Sequence, residues 1–280
     1  MESTRQKPLA TRILTYGMLL VYLVVAFAPL YWMGLTSLRT SKQIYDRTNM
    51  LVPSNLTLQN YVYALTQKQL LTWLANSTIV ASVTVIISLI ISAMAGYAIA
   101  RLRFPGRHNL ARLLVYTYLV PSSLLFIPMF VIIGRIGLGD TLPGVMLTYL
   151  SFTVPFGTWL LFGFFLTIPR ELEDAAKTDG CSYFGVLFRI VLPLAKPGIG
   201  ATFIFAFTDA WNEFLYAAVL LSTDPHLTAP LGLLRFRMAD NYDWGPLMAA
   251  SILTTLPAVF FFILAQRYIV SGLTAGSVKG

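Results

Sequence analysis

Six long runs of mainly apolar residues are the feature that most constrains the fold of this chain. Each run is 21 to 28 residues long, and a helix of about 20 apolar residues crosses a hydrocarbon core of roughly 30 Å. Only 11% of the residues are charged, whereas a soluble domain carries roughly 25%. The sequence therefore predicts an all-α polytopic membrane protein, organised as a single transmembrane domain over residues 1–280. The predicted spans cover about residues 13–35, 73–100, 113–133, 142–168, 198–221 and 246–268.

A cleaved signal peptide is the alternative interpretation of the first apolar run. Ala26, Phe27 and Ala28 resemble a small-residue cleavage site. The run is longer, however, than the apolar core of about 7–15 residues that a signal peptide contains. Pro29, directly after the site, also disfavours cleavage. We therefore interpret this run as a retained first span.

The distribution of lysine and arginine predicts the orientation of the spans, because basic residues concentrate in cytoplasmic connections. Six spans place both termini on one side of the membrane. The two termini, the loop that begins at Arg101 and residues 169–197 together hold 13 of the 20 basic residues, and the three opposite connections hold seven. We therefore expect both termini and residues 169–197 in the cytoplasm. The same scatter at the ends of apolar runs argues against nucleic-acid binding, despite a net charge of +8.

Residues 169–197 interrupt the apolar pattern with a charged segment of helical character. Acidic residues follow Pro169, and the start of a helix favours acids and tolerates proline. Asp179 and Gly180 then favour a turn. Beyond the turn, apolar residues recur at helical spacing until Pro193. The pattern predicts a helix, a glycine turn and a second amphipathic helix, which form a polar hairpin available to a partner.

The sequence contains no arrangement of residues typical of an enzyme or a metal site. Its single cysteine, Cys181, excludes an intrachain disulfide and a cysteine-based metal cluster. The two histidines, His108 and His226, lie on opposite sides of the membrane in the predicted topology. Nucleotide-binding and hydrolase motifs are also absent from the sequence. We therefore expect no catalytic and no metal-binding residues, and no ATP site, in this chain.

Two acidic residues, Asp209 and Glu213, lie inside the fifth apolar run. A charge near the bilayer centre costs at least about 2.5–3.5 kcal/mol, so these acids need a water-lined cavity or specific partners. Their spacing of four places them on one face of a continuous helix, beside Trp211 and Asn212. Either these four residues line a translocation path, in which Trp211 stacks on a sugar ring, or the acids belong to a structural network. Proton coupling is a third interpretation, disfavoured because no basic residue lies near the middle of a span.

The hairpin carries a spaced motif. It reads Asp174-Ala175-Ala176, then Gly180 after three residues, and Ile190-Val191-Leu192-Pro193 nine residues later. This spacing resembles the EAA loop of permease subunits in bacterial ABC importers, except that Asp174 replaces glutamate and shortens the reach of the carboxylate. Further segments are similar to the carbohydrate-uptake branch, and more narrowly to the second, six-span permease of maltose-type systems. They are Asn76-Ser77, Tyr97-Ala98-x-Ala100-Arg101-Leu102 with Phe104-Pro105-Gly106, Trp211-Asn212-x-Phe214 and Gly272 to Gly280.

The resemblance implies that the hairpin forms a coupling helix, which docks on a cytoplasmic ATPase subunit. It implies four kinds of partner in the bacterial cytoplasmic membrane system: a homologous permease, two ATP-binding subunits, an extracytoplasmic solute-binding protein and the sugar substrate, such as a di- or oligosaccharide. The sugar would cross by alternating access, with ATP and Mg bound by the partner ATPase. The implied coupling residues are Glu171, Glu173, Asp174, Ala175, Ala176, Asp179, Gly180, Ile190, Leu192 and Pro193.

Two alternatives to a sugar importer follow from the same residues. The hairpin does not discriminate between solutes, so an ABC importer permease for a phosphorylated polyol or a peptide fits it equally well. From a different class, a stand-alone channel or proton-coupled carrier would need neither the hairpin nor an ATPase.

Overall fold

The computed structural model describes residues 9–45, 55–66, 69–236 and 243–277, and the regular elements in these ranges are all helices. This confirms the all-α fold. Short 3-10 turns lie at Ser122–Leu124, Asp224–His226 and Leu233–Phe236. The helices are α1 (Leu9–Ser37), α2 (Ser41–Tyr45), α3 (Gln59–Thr66), α4 (Leu70–Arg101), α5 (Arg107–Leu119), α6 (Phe126–Arg135), α7 (Leu142–Thr167), α8 (Arg170–Thr178), α9 (Tyr183–Leu194), α10 (Lys196–Asn212), α11 (Leu215–Leu220), α12 (Ala229–Gly232) and α13 (Trp244–Ser277).

Four of these helices are long and apolar enough to cross a membrane. They correspond to the first, second, fourth and sixth predicted spans, and prolines at positions 29, 155 and 257 remain inside them. The apolar segments are Ala10–Ser37, Leu70–Arg101, Leu142–Thr167 and Trp244–Leu264.

The third predicted span, residues 113–133, is not a continuous helix. Helix α5 ends at Leu119, and a 3-10 turn separates it from α6, which begins at Phe126. Val120 is extended, with ψ 121°, because the ring of Pro121 disfavours the helical conformation in the residue before it. The proline therefore divides this run into two shorter helices.

The fifth predicted span, residues 198–221, is also divided. Helix α10 ends at Asn212, Glu213 is extended with ψ 128°, and α11 begins at Leu215. The expectation that Asp209 and Glu213 share one face of a continuous helix is therefore wrong. At the other end of α10, α9 and α10 meet at an angle of 81°, so the second hairpin helix does not continue the direction of the span.

The described residues form two compact units. The first contains α1 to α3 and α13 up to Leu253, and the second contains α4 to α12 and α13 from Thr254. In the second unit α4 and α7 pack in parallel, and small residues allow their backbones to approach closely. The hydroxyl of Ser92 donates to the carbonyl of Val154 at 3.1 Å, and a Cβ on Gly96 would lie only 3.1–3.2 Å from the α7 backbone.

The parallel pair of α4 and α7 gives the second unit two opposite ends. At the first, called here the hairpin end, α4 finishes at Arg101 and α7 at Thr167, beside α8 and α9. At the second, called here the loop end, both helices begin next to residues 137–141 and 220–229. The chain therefore passes from the hairpin end to the loop end twice, through α5 and α6 and through α10 and α11.

Candidate functional site

The candidate site at the hairpin end is built from α8, Gly180 and α9. Gly180 adopts a left-handed conformation with φ +86°, which glycine accepts without steric cost. The Gly180 N–H donates to the Lys177 carbonyl at 3.0 Å, and the Cys181 N–H donates to the Ala176 carbonyl at 2.9 Å. This pair of bonds is the Schellman motif that ends helices at a glycine. The chain therefore forms the helix, glycine turn and second helix that its residues predict.

Helix α9 begins with a local side-chain cap and contains a segment of different helical geometry. The Ser182 hydroxyl accepts the Gly185 N–H at 3.2 Å and caps the first turn. A π-helical segment, Leu187–Val191, follows within the helix. Of the predicted coupling residues on this side, Ile190 and Leu192 are half-buried and Pro193 is exposed.

The first hairpin helix, α8, has an exposed acidic side. Glu171, Asp174 and Ala175 are exposed, as is Asp179 directly after the helix. Asp174 pairs with Lys177 at 3.2 Å, an exposed contact of the kind that contributes little to stability. The hairpin also exposes large apolar side chains, which cost free energy in water and mark interaction surfaces when they lie together. They are Leu172, Tyr183, Phe184, Phe188 and Leu194, which are 45–61% exposed.

The opposite side of α8 is buried, and it includes one acid. Glu173 is 1% exposed, and its Oε1 lies 2.6 Å from the Nε of Arg101, the last residue of α4. The hydroxyl of Tyr97 donates to Oε2 at 3.1 Å. The Arg101 Nη2 donates to the carbonyls of Phe165 and Ile168, each at 2.6 Å. One guanidinium therefore joins the end of α4, the end of α7 and the first turn of α8.

This ion pair sits against an apolar core that the hairpin shares with α4 and α7. A buried ion pair tolerates desolvation only when hydrogen bonds satisfy its remaining atoms, and the Tyr97 hydroxyl and two carbonyls supply them here. In the sequence, Arg101 is a marker of topology and part of a segment similar to the carbohydrate-uptake branch, but nothing local links it to Glu173. The buried core residues are Tyr97, Ala100, Leu161, Phe165, Ile168, Ala176, Val186, Leu187, Val191 and Ala195.

The four candidate path residues in the fifth run separate into two pairs. Trp211 is 2% exposed, donates from Nε1 to the Thr254 carbonyl at 3.2 Å, and stacks on Phe207. Its ring is therefore buried inside the chain in this conformation and is not accessible to a sugar. Asp209 and Asn212, in contrast, are exposed on the surface of the chain.

Glu213, like Trp211, is held by hydrogen bonds within the chain. Its Oε1 accepts the Tyr216 N–H at 2.8 Å, and its Oε2 accepts the Ala217 N–H at 3.1 Å. A carboxylate at the start of α11 satisfies N–H groups that have no partner within the helix. The hydroxyl of Tyr149, on α7, donates to the same Oε2 at 2.8 Å. For Glu213 these contacts support the interpretation as a structural network.

The loop end contains anchoring residues at the start of α4. The Trp73 Nε1 donates to the Asp224 carbonyl at 2.7 Å. The Asn76 side chain donates to the carbonyls of Pro225 and Leu227 at 2.8 and 2.9 Å, and the Ser77 hydroxyl accepts the Ala229 N–H. From the sequence, Asn76 and Ser77 stand out only through a family resemblance. Their partners are backbone groups, which a sequence pattern does not identify.

Asp140 fixes a neighbouring part of the loop end. Its φ of +53° lies in the left-handed region, which aspartate and asparagine tolerate better than most residues. Its carboxylate accepts the N–H groups of Ser222 and Thr223 and the Thr223 hydroxyl. Partial burial by itself would raise the pKa of Asp140, but these bonds, with His226 nearby, outweigh it and lower the pKa from 3.8 to about 2.

Replacing Asp140 with asparagine is expected to lower the thermal-unfolding midpoint of the detergent-purified protein at pH 7. Loss of the charged acceptor removes about 1 kcal/mol, or about 2–4 °C, and asparagine keeps the positive φ accessible. Because the folded pKa is depressed, this stabilisation is complete above pH 3.8 and disappears as pH falls through about 2. The midpoint difference should therefore persist at pH 5 and shrink as pH falls below 3.8; an undiminished difference near pH 2 would contradict the assignment.

The fold and this site together define a class of protein: an all-α, multi-pass membrane protein in which two parallel spans end on a hairpin that exposes acidic and aromatic side chains. The family of binding-protein-dependent transport system inner membrane components matches residues 88–274. The chain belongs to this family, and it is a multi-pass protein of the bacterial inner membrane. The resemblance to ABC importer permeases is thereby confirmed.

Individual relatives match over nearly the whole chain. The trehalose transport system permease protein SugB of Mycobacterium tuberculosis is 37% identical over 270 residues, which cover 95% of this chain and 98% of SugB. The arabinooligosaccharides transport system permease protein AraQ of Halalkalibacterium halodurans is 35% identical over 279 residues, 99% of each chain. A chain in a crystal structure of a bacterial ABC transporter, involved in the import of the acidic polysaccharide alginate, superposes with a TM-score of 0.83. At 21% identity, with 95% of this chain and 100% of that chain covered, it shows a shared fold.

Proposed function

We propose that this chain is the permease subunit of an ATP-driven importer and that it moves a sugar into the cytoplasm by alternating access. The observation that carries the proposal is the hairpin of α8 and α9. It exposes an acidic and apolar surface while its other side is fixed to the ends of α4 and α7. A surface of this kind fits a partner that pushes on the hairpin, and the resemblance to ABC importer permeases implies that this partner is an ATPase.

The proposed substrate is a di- or oligosaccharide. SugB carries trehalose in its name and AraQ carries arabinooligosaccharides, and each aligns over at least 95% of this chain. An importer for a phosphorylated polyol or a peptide would use the same hairpin, so the choice of a sugar rests on these relatives. Transport assays with a labelled sugar, a labelled phosphorylated polyol and a labelled peptide distinguish a sugar importer from these alternatives.

The proposed assembly contains a second, homologous permease, two ATP-binding subunits and an extracytoplasmic solute-binding protein. ATP and Mg bind in the partner ATPase, and this chain performs no catalysis. Six crossings, of which α5–α6 and α10–α11 are broken ones, would place both termini and the hairpin in the cytoplasm. The exposed Asp209 and Asn212 are the candidates for the translocation path, because Trp211 and Glu213 are engaged inside the chain.

Charge reversal on the exposed side of α8 tests the docking surface directly. The Asp174 side chain is 70% exposed, so Asp174→Lys should leave folding intact while it reverses a charge that faces the ATPase. We expect capture of the purified ATPase subunit by the reconstituted permease pair to fall by about tenfold or more, as for a charge pair at an interface. Co-purification of the ATPase with the chain is the measurement.

Ser222→Lys provides the matched control at the loop end. The Ser222 side chain is exposed and only its backbone N–H is engaged by Asp140, so a lysine there should leave ATPase capture unchanged. Equal loss in both variants, or no ATPase capture by the unmodified chain, would contradict the docking surface. A chain that transports solute without any ATPase would instead support a stand-alone carrier or channel.

A further inference from the structure

The Glu173 carboxylate is the one acid of the hairpin's first helix that faces the interior. Its side chain is 2% exposed and that of Arg101 is 6% exposed, whereas the neighbouring acids Glu171 and Asp174 are exposed. The three acids of α8 therefore lie in two different environments. A partner protein can reach the exposed ones, but Glu173 is already enclosed by this chain.

The groups around Glu173 also leave it little capacity for a partner. Oε1 faces the guanidinium of Arg101, and Oε2 accepts the hydroxyl of Tyr97. The same guanidinium donates to the carbonyls of Phe165 and Ile168, at the end of α7, where helix carbonyls lack their usual partner one turn further on. Glu173 and Arg101 therefore connect α8, α4 and α7 inside the chain, and this connection is called here the joint.

We propose that Glu173 is a positioning residue, which with Arg101 transmits displacement of the hairpin to the ends of α4 and α7 and makes no contact with the ATPase. The proposal rests on the proposed function, since it concerns how the hairpin acts once the ATPase is bound. It divides the hairpin's acids into a docking group on the exposed side and a transmitting residue on the buried side. Packing of Ala176 and Val186 against Tyr97 and Phe165 would support the same movement.

A joint and a docking contact predict different defects in the assembled importer. Without the joint, the ATPase still binds the hairpin and hydrolyses ATP, but its movement is passed poorly to the spans. Without a docking contact, the ATPase binds less. Two quantities separate the cases: the ATPase bound per permease, and the ATP hydrolysed per sugar transported, both measured in liposomes with the binding protein present.

Glu173→Gln is the main variant, because glutamine keeps the shape of the side chain and an acceptor for Tyr97. We expect ATPase binding within about twofold of the unmodified importer, and at least about fivefold more ATP hydrolysed per sugar transported, as for loss of a charge-assisted bond. Arg101→Gln should give a similar defect. The double variant should be no worse than Arg101→Gln alone, because both substitutions break the same joint.

Tyr97→Phe keeps the charges of Glu173 and Arg101. It is the variant to measure if Glu173→Gln or Arg101→Gln folds poorly. It removes one hydrogen bond to the Glu173 carboxylate but leaves the ion pair with Arg101, so the ATP hydrolysed per sugar should rise by about twofold, less than in Glu173→Gln. Thermal-unfolding midpoints of the purified variants, with assays run well below them, separate coupling from stability.

Three results would overturn the proposal. Glu173→Gln could lower ATPase binding as a change at Asp174 does; the defects of Glu173→Gln and Arg101→Gln could multiply in the double variant; or the coupling ratio could stay unchanged in Glu173→Gln and in Tyr97→Phe. If the unmodified chain neither binds an ATPase nor transports sugar, the proposed function fails instead. A coupled unmodified importer with a coupled Glu173→Gln variant rejects the positioning role alone.

Discussion

Replacing Gly180 with valine is expected to lower the transport-coupled ATPase activity of the assembled importer by about tenfold, the size of 1–3 kcal/mol of backbone strain, without preventing membrane insertion. Gly180 has φ +86°, a conformation that a β-branched residue adopts only at high cost. Among the described residues, apart from the two that adjoin Gly180 in the chain, no atom lies within 4 Å of a Cβ built at this position. The cost therefore comes from the backbone alone, and it falls on the turn that orients α8 against α9.

A graded series of residues at position 180 isolates this backbone effect. Asparagine tolerates positive φ and should retain most of the coupled activity, while alanine should fall between asparagine and valine. Membrane insertion is checked by extraction of the protein from washed membranes, and coupling by the sugar-stimulated rate of ATP hydrolysis. Equal activity of the valine and asparagine variants would show that the left-handed turn is not needed for coupling. Equal loss in both would point to a contact of the partner with Gly180 itself.

The hairpin was predictable from the sequence because its determinants are local. The acids after Pro169, the Asp179-Gly180 pair and the helical spacing of apolar residues act within a few residues of one another, and the structure contains the helices and turn that they predict. The four long helices were predictable for a similar reason, since one hydrophobic pattern defines each of them. The broken third span also had a local cause, Pro121, whose effect on Val120 the span prediction underweighted.

The joint at Arg101 and the break at Glu213 could not be predicted in the same way. Arg101 and Glu173 are 72 residues apart, and only the parallel packing of α4 and α7 brings them together. Glu213 ends a helix without a proline or glycine beside it, because its carboxylate finds the N–H groups of the next helix and the hydroxyl of Tyr149. These hydrogen-bond partners are brought together only by the tertiary structure. The residue types at Asp209 and Glu213 therefore could not show whether the two acids line a translocation path or belong to a structural network.

Replacing Glu213 with alanine is expected to reduce the yield of folded, detergent-stable protein severely, while the importer that does assemble keeps its apparent KM for sugar. The variant loses the acceptor of two N–H groups at the start of α11 and of the Tyr149 hydroxyl. Leaving these donors buried without a partner costs about 1–3 kcal/mol each for the groups that water cannot reach. The measurements are the thermal-unfolding midpoint in detergent and the concentration dependence of sugar uptake in liposomes.

Matched variants decide whether Glu213 acts as a structural cap or lines the path. Glu213→Gln keeps an acceptor and should recover part of the midpoint, and Tyr149→Phe should add little to Glu213→Ala because it removes a donor whose acceptor is already gone. Asp209→Asn, at an exposed position four residues earlier, should give the opposite profile: an unchanged midpoint and an altered KM. An altered KM in Glu213→Gln with an unchanged midpoint would place this carboxylate in the path. Helix α10 would then end at Asn212 to present Glu213 to the sugar, and the capping contacts would have to open during transport.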